Sequence, residues 1–469
     1  MYRMDRQMRI EDFIFPFGQL DTENEWVKLA EIVPWDEAEE QYARQFVNNG
    51  HPAHSARIAL GALIIKQKLK CSDEWTVRHI SENPYLQFFI GLKEYTSKCP
   101  FGASTMVDFR KRFPPEAIAA LLAASAKEEK DDDNNDDHTN GSGENQGTLI
   151  MDATCCPADI AYPQDFQLLN EAREKLEQIV DDYCKAYHLK KPRMRRKCAR
   201  RDYLNLSKCK KRTAKKLRQG IRKQIQYIYR DIGFVVAIIR ENRIKVSQKV
   251  CNLLNTITTL YEQQLYMYEN RVHSVQDRIV SIAQPWIRPI VRGKAHVNTE
   301  FGVKLHISMV NGYARIERLS FDAFNEAGDF YKAVGAYFDA HGCYPQRILV
   351  DKIYRNRETI AWCKEHGIQL TGPALGRPTK NKESSKQARK QEYQDICDRN
   401  IVEGEFGVGK RSYGLNRIMA HLPETSFCVI GIALLCMNLA KGLRSLLLLI
   451  LQFVVFSLGR SHAHFLNGC

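Results

Sequence analysis

A mixed α/β protein, with an all-helical segment ahead of its sheet and a large helical insertion inside it, is the fold class this sequence predicts. Three observations predict it. Apolar residues recur at three- and four-residue steps before residue 128, short apolar runs carrying aspartate follow residue 148, and Asn311-Gly312 joins two strand-like runs.

At 469 residues the chain exceeds what one hydrophobic core organises, so several domains are expected. The 44% apolar and 26% charged content belongs to an ordinary globular protein and excludes collagen, extensive disorder or a disulfide scaffold. Its 14 cysteines are scattered without CxxC spacing, which reads as reduced, packed thiols. The start, MYRMDRQMRIEDF, lacks an apolar signal core, and with the thiols this points to the cytoplasm.

In the helical segment, 53–69 has a helical apolar period and Ser72-Asp73-Glu74 caps the next helix. Ser104 can cap 105–113, and Pro115 can open 116–127. The helix TMVDFRKRF carries Arg110, Lys111 and Arg112 beside aromatic residues. It reads either as a DNA-facing helix or as the solvated face of a packing helix.

Residues 129–147 are acidic and nearly devoid of apolar side chains, which predicts a disordered linker. Residues 148–154 (TLIMDAT) then read as a buried strand, and 166–285 as helices. Strands are expected at 302–310 and 314–321, a helix at 327–341, a strand at 347–351, a helix at 356–367 and a strand at 368–371. The polar stretch 379–390 reads as a loop, with helices from Glu392 onward. The domains expected are 1–128 helical, 129–147 linker, 148–165 and 286–425 catalytic core, 166–285 basic insertion, and 426–469 apolar helices.

Charge narrows the partner. The net charge is +14, and 190–230 holds 18 Lys or Arg against the single acid Asp202. Such a tract gains free energy by displacing counterions from a polyanion, and Tyr203, Tyr227 and Tyr229 within it could stack on bases. Near the hairpin, Arg288, Arg292 and Lys294 are candidate phosphate contacts. The apolar runs 427–440 and 445–458 are separated by Lys441 and Arg444. Each falls short of the roughly 20 residues a bilayer span needs, so core helices are expected and a membrane is not.

Asp152 and Asp351 each read as a carboxylate at a strand end beyond an apolar run, a common way to present metal ligands from a rigid strand. In RNIVEGEFGVGKR, Arg399, Glu403 and Lys410 fall within about 60° on a helix face. One carboxylate and two cations there suit a metal beside a phosphodiester, with Arg411 adjoining. Gly404, Gly407 and Gly409 are expected to interrupt this helix, each at about 1 kcal/mol relative to alanine. Asp322 and Glu326 could be accessory acids, but a helix N-terminus favours acids there anyway, and His296 and His306 lack metal-ligand spacing and read as structural.

Arg, three residues, Glu, six residues, Lys is the spacing of the insertion-sequence transposases with a YREK signature, which Arg399, Glu403 and Lys410 match. RNIVEGEFGVGKRSYGLNRI resembles that family's third acidic block, LIMDATCCPADIAYPQD its first, and RILVDKIYRNRETIAWCKEHGIQLTGPALGRP its second. FPFGQLDTENEWVKLAEIVPW through PYLQFFIGL is similar to its N-terminal helical domain. The element order likewise resembles the ribonuclease-H-like fold.

The resemblance implies that Asp152, Asp351 and Glu403 ligate two Mg2+ ions, replaceable by Mn2+, and that Arg399 and Lys410 contact phosphates. It implies cleavage at the terminal inverted repeats of an element and strand transfer into target DNA, without a covalent protein intermediate. A homodimer would synapse the two ends, and no small-molecule substrate is expected. At the motif's tyrosine stands Ile396, which cannot hydrogen-bond a phosphate, so that contact is absent or supplied by another group such as Tyr393. Two other readings stand beside this one: a nuclease of the same fold without strand transfer, and a DNA-binding relative without catalysis.

Overall fold

The structure is a computed structural model and describes residues 9–16, 18–46, 52–126, 145–291, 299–371 and 382–466. The chain forms two compact units: Met1–Pro157 with Lys304–Ser320 and Phe324–Cys469, and Ala158–Val303 with Phe321–Ala323. Arg292 and Lys294 lie outside the described residues, as does most of the acidic stretch 129–147.

The first unit opens with α1 (Glu25–Ile32), α2 (Trp35–Ala43), α3 (Ala56–Leu69), α4 (Asp73–Glu82), α5 (Pro84–Phe89), α6 (Thr105–Lys111) and α7 (Pro115–Ser125). Local chemistry sets their ends. Asn24, Ser55, Ser72 and Asn83 each accept a hydrogen bond from a first-turn N–H of the helix they cap, and Pro115 stands in the first turn of α7. In α3 the residues Ala59, Leu60, Ala62, Ile64 and Ile65 are fully buried, so this helix forms the centre of the bundle.

After β1 (Thr148–Pro157) the chain enters the second unit: α8 (Asp165–Ala186), α9 (Arg196–Ser207), α10 (Ala214–Glu241), α11 (Gln248–Asn270) and β2 (Arg288–Val291). Leu169, Leu176, Val180, Ile228, Ile257 and Leu260 form the core among its helices. This unit begins eight residues before the expected insertion and runs to Val303, because β2 pairs antiparallel with the first residues of β3 (Thr299–Val310).

The remaining elements are β4 (Tyr313–Ser320), α12 (Phe330–His341), β5 (Arg347–Leu349), α13 (Arg357–Glu365), β6 (Gln369–Leu370), α14 (Lys382–Ser412) and α15 (Pro423–Leu466). Within the first unit the strand order is β4-β3-β1-β5-β6. β3 and β4 are antiparallel, while β5 is parallel to both β1 and β6. The hairpin turns at Asn311 and Gly312, with φ of +49° and +78°, the left-handed pair that Asn-Gly supplies at least cost.

Three expectations are corrected. The stretch read as a loop at 379–390 is helical from Lys382, because polar side chains such as Lys, Gln and Arg form helices well without an apolar stripe. Gly404, Gly407 and Gly409 do not interrupt α14. At Gly409 an added Cβ would lie 2.7 Å from Leu415 and 3.3 Å from Met437 Sδ, so that glycine permits close packing on α15.

The third correction concerns 426–469, expected as separate apolar helices. Up to Leu466 the chain here forms the single helix α15, which packs on α1, α3, α6, α7 and β4 and so joins the N-terminal bundle to the sheet in one unit. Pro423–Ser445 is long and apolar enough to cross a membrane by length and composition. Since 72% of its most apolar window is buried, it suits the core helix of a globular unit.

Candidate active site

Parallel register carries the first two acids to the same end of the β1–β5 pair. Ile150 and Leu349 are the last partners of the β1–β5 pair, and Asp152 and Asp351 each lie two residues beyond them. Side chains two residues apart on a strand share a face, so Asp152 follows the direction of Ile150. Asp152 sits in mid-strand, since β1 continues to Pro157. Its expected place at a strand end is corrected, because the apolar run resumes at Cys155 and Cys156 and both are buried.

Asp351 leaves β5 in extended conformation and caps the turn Lys352–Tyr354, its Oδ1 accepting the Lys352 N–H at 2.7 Å. It is exposed, whereas the Asp152 side chain is 19% exposed. Burial pushes the Asp152 carboxyl above the ordinary carboxylate range. The Ala153 N–H and the Arg399 cation pull it back, while the negative charges of Asp351 and Glu403 add to the rise. These three acids therefore sense one another electrostatically, and a cation among them would relieve the repulsion.

Glu403 comes from α14, which packs against β1 and β5. Arg399, one turn earlier, stands between acids from two elements: Nη1 is 3.8 Å from Asp152 Oδ2 and Nη2 is 3.6 Å from Glu403 Oε1. Lys410 is half-buried on the same helix face, and Arg411 is exposed with Nε donating to the Gly407 carbonyl. Ile396 is 48% exposed, about 60° around the helix from Arg399, whereas Tyr393 lies about 120° away. Tyr393 thus points off the face that carries Glu403 and Lys410.

Two supports escaped sequence reasoning. Arg347, the first residue of β5, binds Asp395 at 3.1 Å and Asp398 at 2.6 Å, fastening α14 to the sheet one turn before Arg399. The only sequence signal was Asp395 and Asp398 at i, i+3, and nothing there names Arg347 as their partner. Beneath the Asp351 turn, His306 is fully buried between Asp329 (Nδ1 to Oδ2, 3.2 Å) and Tyr354 (Nε2 to hydroxyl, 2.9 Å). Burial holds the imidazole below its usual pKa, although Asp329 opposes this. A neutral ring with hydrogen on Nδ1 satisfies both contacts, donating to Asp329 and accepting from Tyr354. Its partners Asp329 and Tyr354 carry no signal in the sequence.

Several expected phosphate contacts are turned inward. Arg110 is 8% exposed and grips Asp73 through both terminal nitrogens, at 2.9 and 2.6 Å. Burial pushes Asp73 up, but hydrogen bonds from Arg110 and Lys66 outweigh it and hold the carboxyl below its ordinary value. Arg112 stacks over Phe46 at 4.4 Å and donates to the Tyr42 hydroxyl. A planar guanidinium with apolar neighbours is more useful in packing than in solvent. Lys111 alone of the three is exposed.

Arg288 is likewise mostly buried. It donates to the carbonyls of Pro285 and Ile287, with Asp277 and Asp322 within 4 Å. By contrast, Lys190, Arg193, Arg195, Lys197, Arg200 and Arg201 in the basic tract are exposed.

Among the described residues no three His, Cys, Asp or Glu are grouped closely enough to hold a metal ion as they stand. Asp152, Asp351 and Glu403 nevertheless supply hard oxygen donors with a shared excess of negative charge, and such donors suit Mg2+ or Mn2+.

Residues 348–440 match a family described as Transposase DDE domain, and residues 17–112 match one described as Transposase domain. The first match includes Asp351, Arg399, Glu403 and Lys410, and Asp152 lies outside both. A Rhizobium meliloti protein, described as uncharacterized protein ORF8 in the nfe locus, is 32% identical over 150 residues, covering 32% of this chain and 70% of that protein. No solved structure matches the chain.

Proposed function

We propose that this chain is a transposase with a DDE domain that cuts DNA at the ends of an insertion sequence and joins them to a target. Asp152, Asp351 and Glu403 are the acids of the site. The observation that supports this reading is that Asp351 and Glu403 both act electrostatically on Asp152, while Arg399 lies between Glu403 and Asp152.

The strand order β4-β3-β1-β5-β6, with an antiparallel hairpin on one side of β1 and parallel strands on the other, supports a ribonuclease-H-like core. Asp152, Asp351 and Glu403 would hold the divalent ions. When bound, these supply Lewis-acid stabilisation of charge on the attacking and leaving oxygens. Arg399 would neutralise phosphate oxygens at the scissile bond and hold it against the acids, while Lys410 and Arg411, about 10 and 12 Å beyond Glu403 along the helix, would meet the phosphates that follow. Arg399 contributes a second effect, because its contact with Asp152 favours the ionised carboxylate that a metal requires.

Two element ends brought together require two copies of the chain during reaction, and the substrate places the protein with the DNA of the cytoplasm. Incubation of the native chain with Mg2+ and a labelled duplex carrying the element's inverted repeats tests the reading. Joined products are expected. Cleavage alone would replace it with a nuclease, and binding without either would leave a DNA-binding relative.

A further inference from the structure

We propose that a basic cleft lined by α3, α4 and the turn from α14 into α15 holds the phosphate backbone of a DNA duplex, outside the acidic site. The cleft has a volume of about 600 Å³ and is lined by Lys66, Lys70, Arg110, Arg411 and Arg417, with Asp73 its one acid. Asp73 is already engaged by Lys66 at 2.8 Å and by Arg110 through both its oxygens. Lys70, Arg411 and Arg417 are all exposed, and among the described residues neither Lys70 nor Arg411 has a carboxylate within 4 Å. With Asp73 held by Lys66 and Arg110, the cleft keeps an excess of positive charge at Lys70 and Arg411 that suits an outside anion.

The cleft is preformed. Gln67 of α3 donates to the Tyr413 carbonyl, and Lys70 Nζ lies 3.3 Å from the Arg411 carbonyl, so two side chains of one wall hold the backbone of the other. Lys70 itself ends α3 in the left-handed conformation, φ +52°, which directs it away from the helix axis. Cations converging on a fixed concave surface lose little freedom when a polyanion binds, and each phosphate neutralised releases counterions.

Position selects duplex DNA as the occupant. Arg411 lies eight residues beyond Glu403 on the same helix, about 12 Å along its axis. At 3.4 Å of rise per nucleotide, a duplex cut at the acids would bring phosphates roughly three or four nucleotides away over the cleft. In this respect the inference rests on the proposed function. It adds residues of the N-terminal bundle, Lys70 above all, to the DNA-binding surface.

The test uses the full chain in EDTA with a fluorescein-labelled duplex of mixed sequence, followed by anisotropy across a salt series. The double variant Lys70→Ala, Arg417→Ala should bind about tenfold more weakly. Its slope of log K against log salt should be shallower by about 0.9 for each phosphate that is no longer neutralised. Lys70→Arg, Arg417→Lys should restore the native slope, which a merely structural role would not predict. An unchanged slope in the alanine variant, or a native chain that does not bind the duplex, overturns the proposal. In a separate assay with Mg2+, Asp152→Asn should lose cleavage; if it still cuts while the alanine double variant shows its shallower slope, the catalytic reading fails and the cleft stands.

Discussion

The hydroxyl of Tyr354 lies 2.9 Å from Nε2 of His306, and both side chains are fully buried directly behind the turn that Asp351 begins. With Asp329 on the far side of the imidazole, this chain of hydrogen bonds ties β3 to the end of β5. Tyr354→Phe leaves Nε2 without its donor at a cost of about 1–3 kcal/mol, measurable by urea denaturation. Loosening the Asp351 turn should also raise the Mg2+ concentration needed for half-maximal cleavage, whereas a role in folding alone would leave that concentration unchanged.

Asp152→Asn should separate stability from activity. Burial and two neighbouring acids oppose the charge on Asp152, so the neutral amide is expected to raise the thermal midpoint near pH 7. Cleavage should fall at least about a hundredfold. A variant that loses activity together with stability would mean that Asp152 is needed for packing.

Arg110→Ala should destabilise the first unit by about 2 kcal/mol, towards the low end for a buried charge pair because Lys66 still faces Asp73. Its salt slope for DNA binding should match the native one. A shallower slope would restore Arg110 to the DNA-facing surface.

In the second unit Asp231 is fully buried, with Arg230 on one oxygen and, among the described residues, no hydrogen-bond partner on the other. Burial raises its pKa to about 6, although Arg230 opposes the rise. The folded state thus holds a proton that the unfolded state releases from about pH 4 upward, so stability is present at low pH and lost as pH rises to about 6. The change is on the order of 3 kcal/mol. Asp231→Asn should flatten this dependence in denaturation curves taken at pH 4, 5, 6 and 7 (chosen as about one-unit steps across the titration).

Gly404 and Gly409 make opposite predictions on one helix. An added Cβ meets nothing within 4 Å at Gly404 but collides with Leu415 at Gly409. Gly404→Ala should stabilise by about 0.5–1 kcal/mol, and Gly409→Ala should destabilise by about 1–3 kcal/mol. If Gly404→Ala also weakens duplex binding, the open space beside Glu403 is where DNA approaches.

The sequence by itself determined what depends on local periodicity and turn chemistry. Asn311-Gly312 specifies its hairpin because few other pairs tolerate two positive φ angles, and capping residues such as Ser55 and Ser72 mark their helices. Arg399, Glu403 and Lys410 share a face because the helical repeat alone puts them there. Tertiary structure decided everything that needed a distant partner. Ile150 pairs with Leu349 across nearly 200 residues, which brings Asp152 within electrostatic reach of Asp351, and Arg347 finds Asp395 and Asp398 only once α14 lies on the sheet. Arg110 is turned inward because Asp73, 37 residues earlier, offers it both carboxylate oxygens. Pairings of that range depend on which surfaces pack together, and no local pattern of residues encodes that choice.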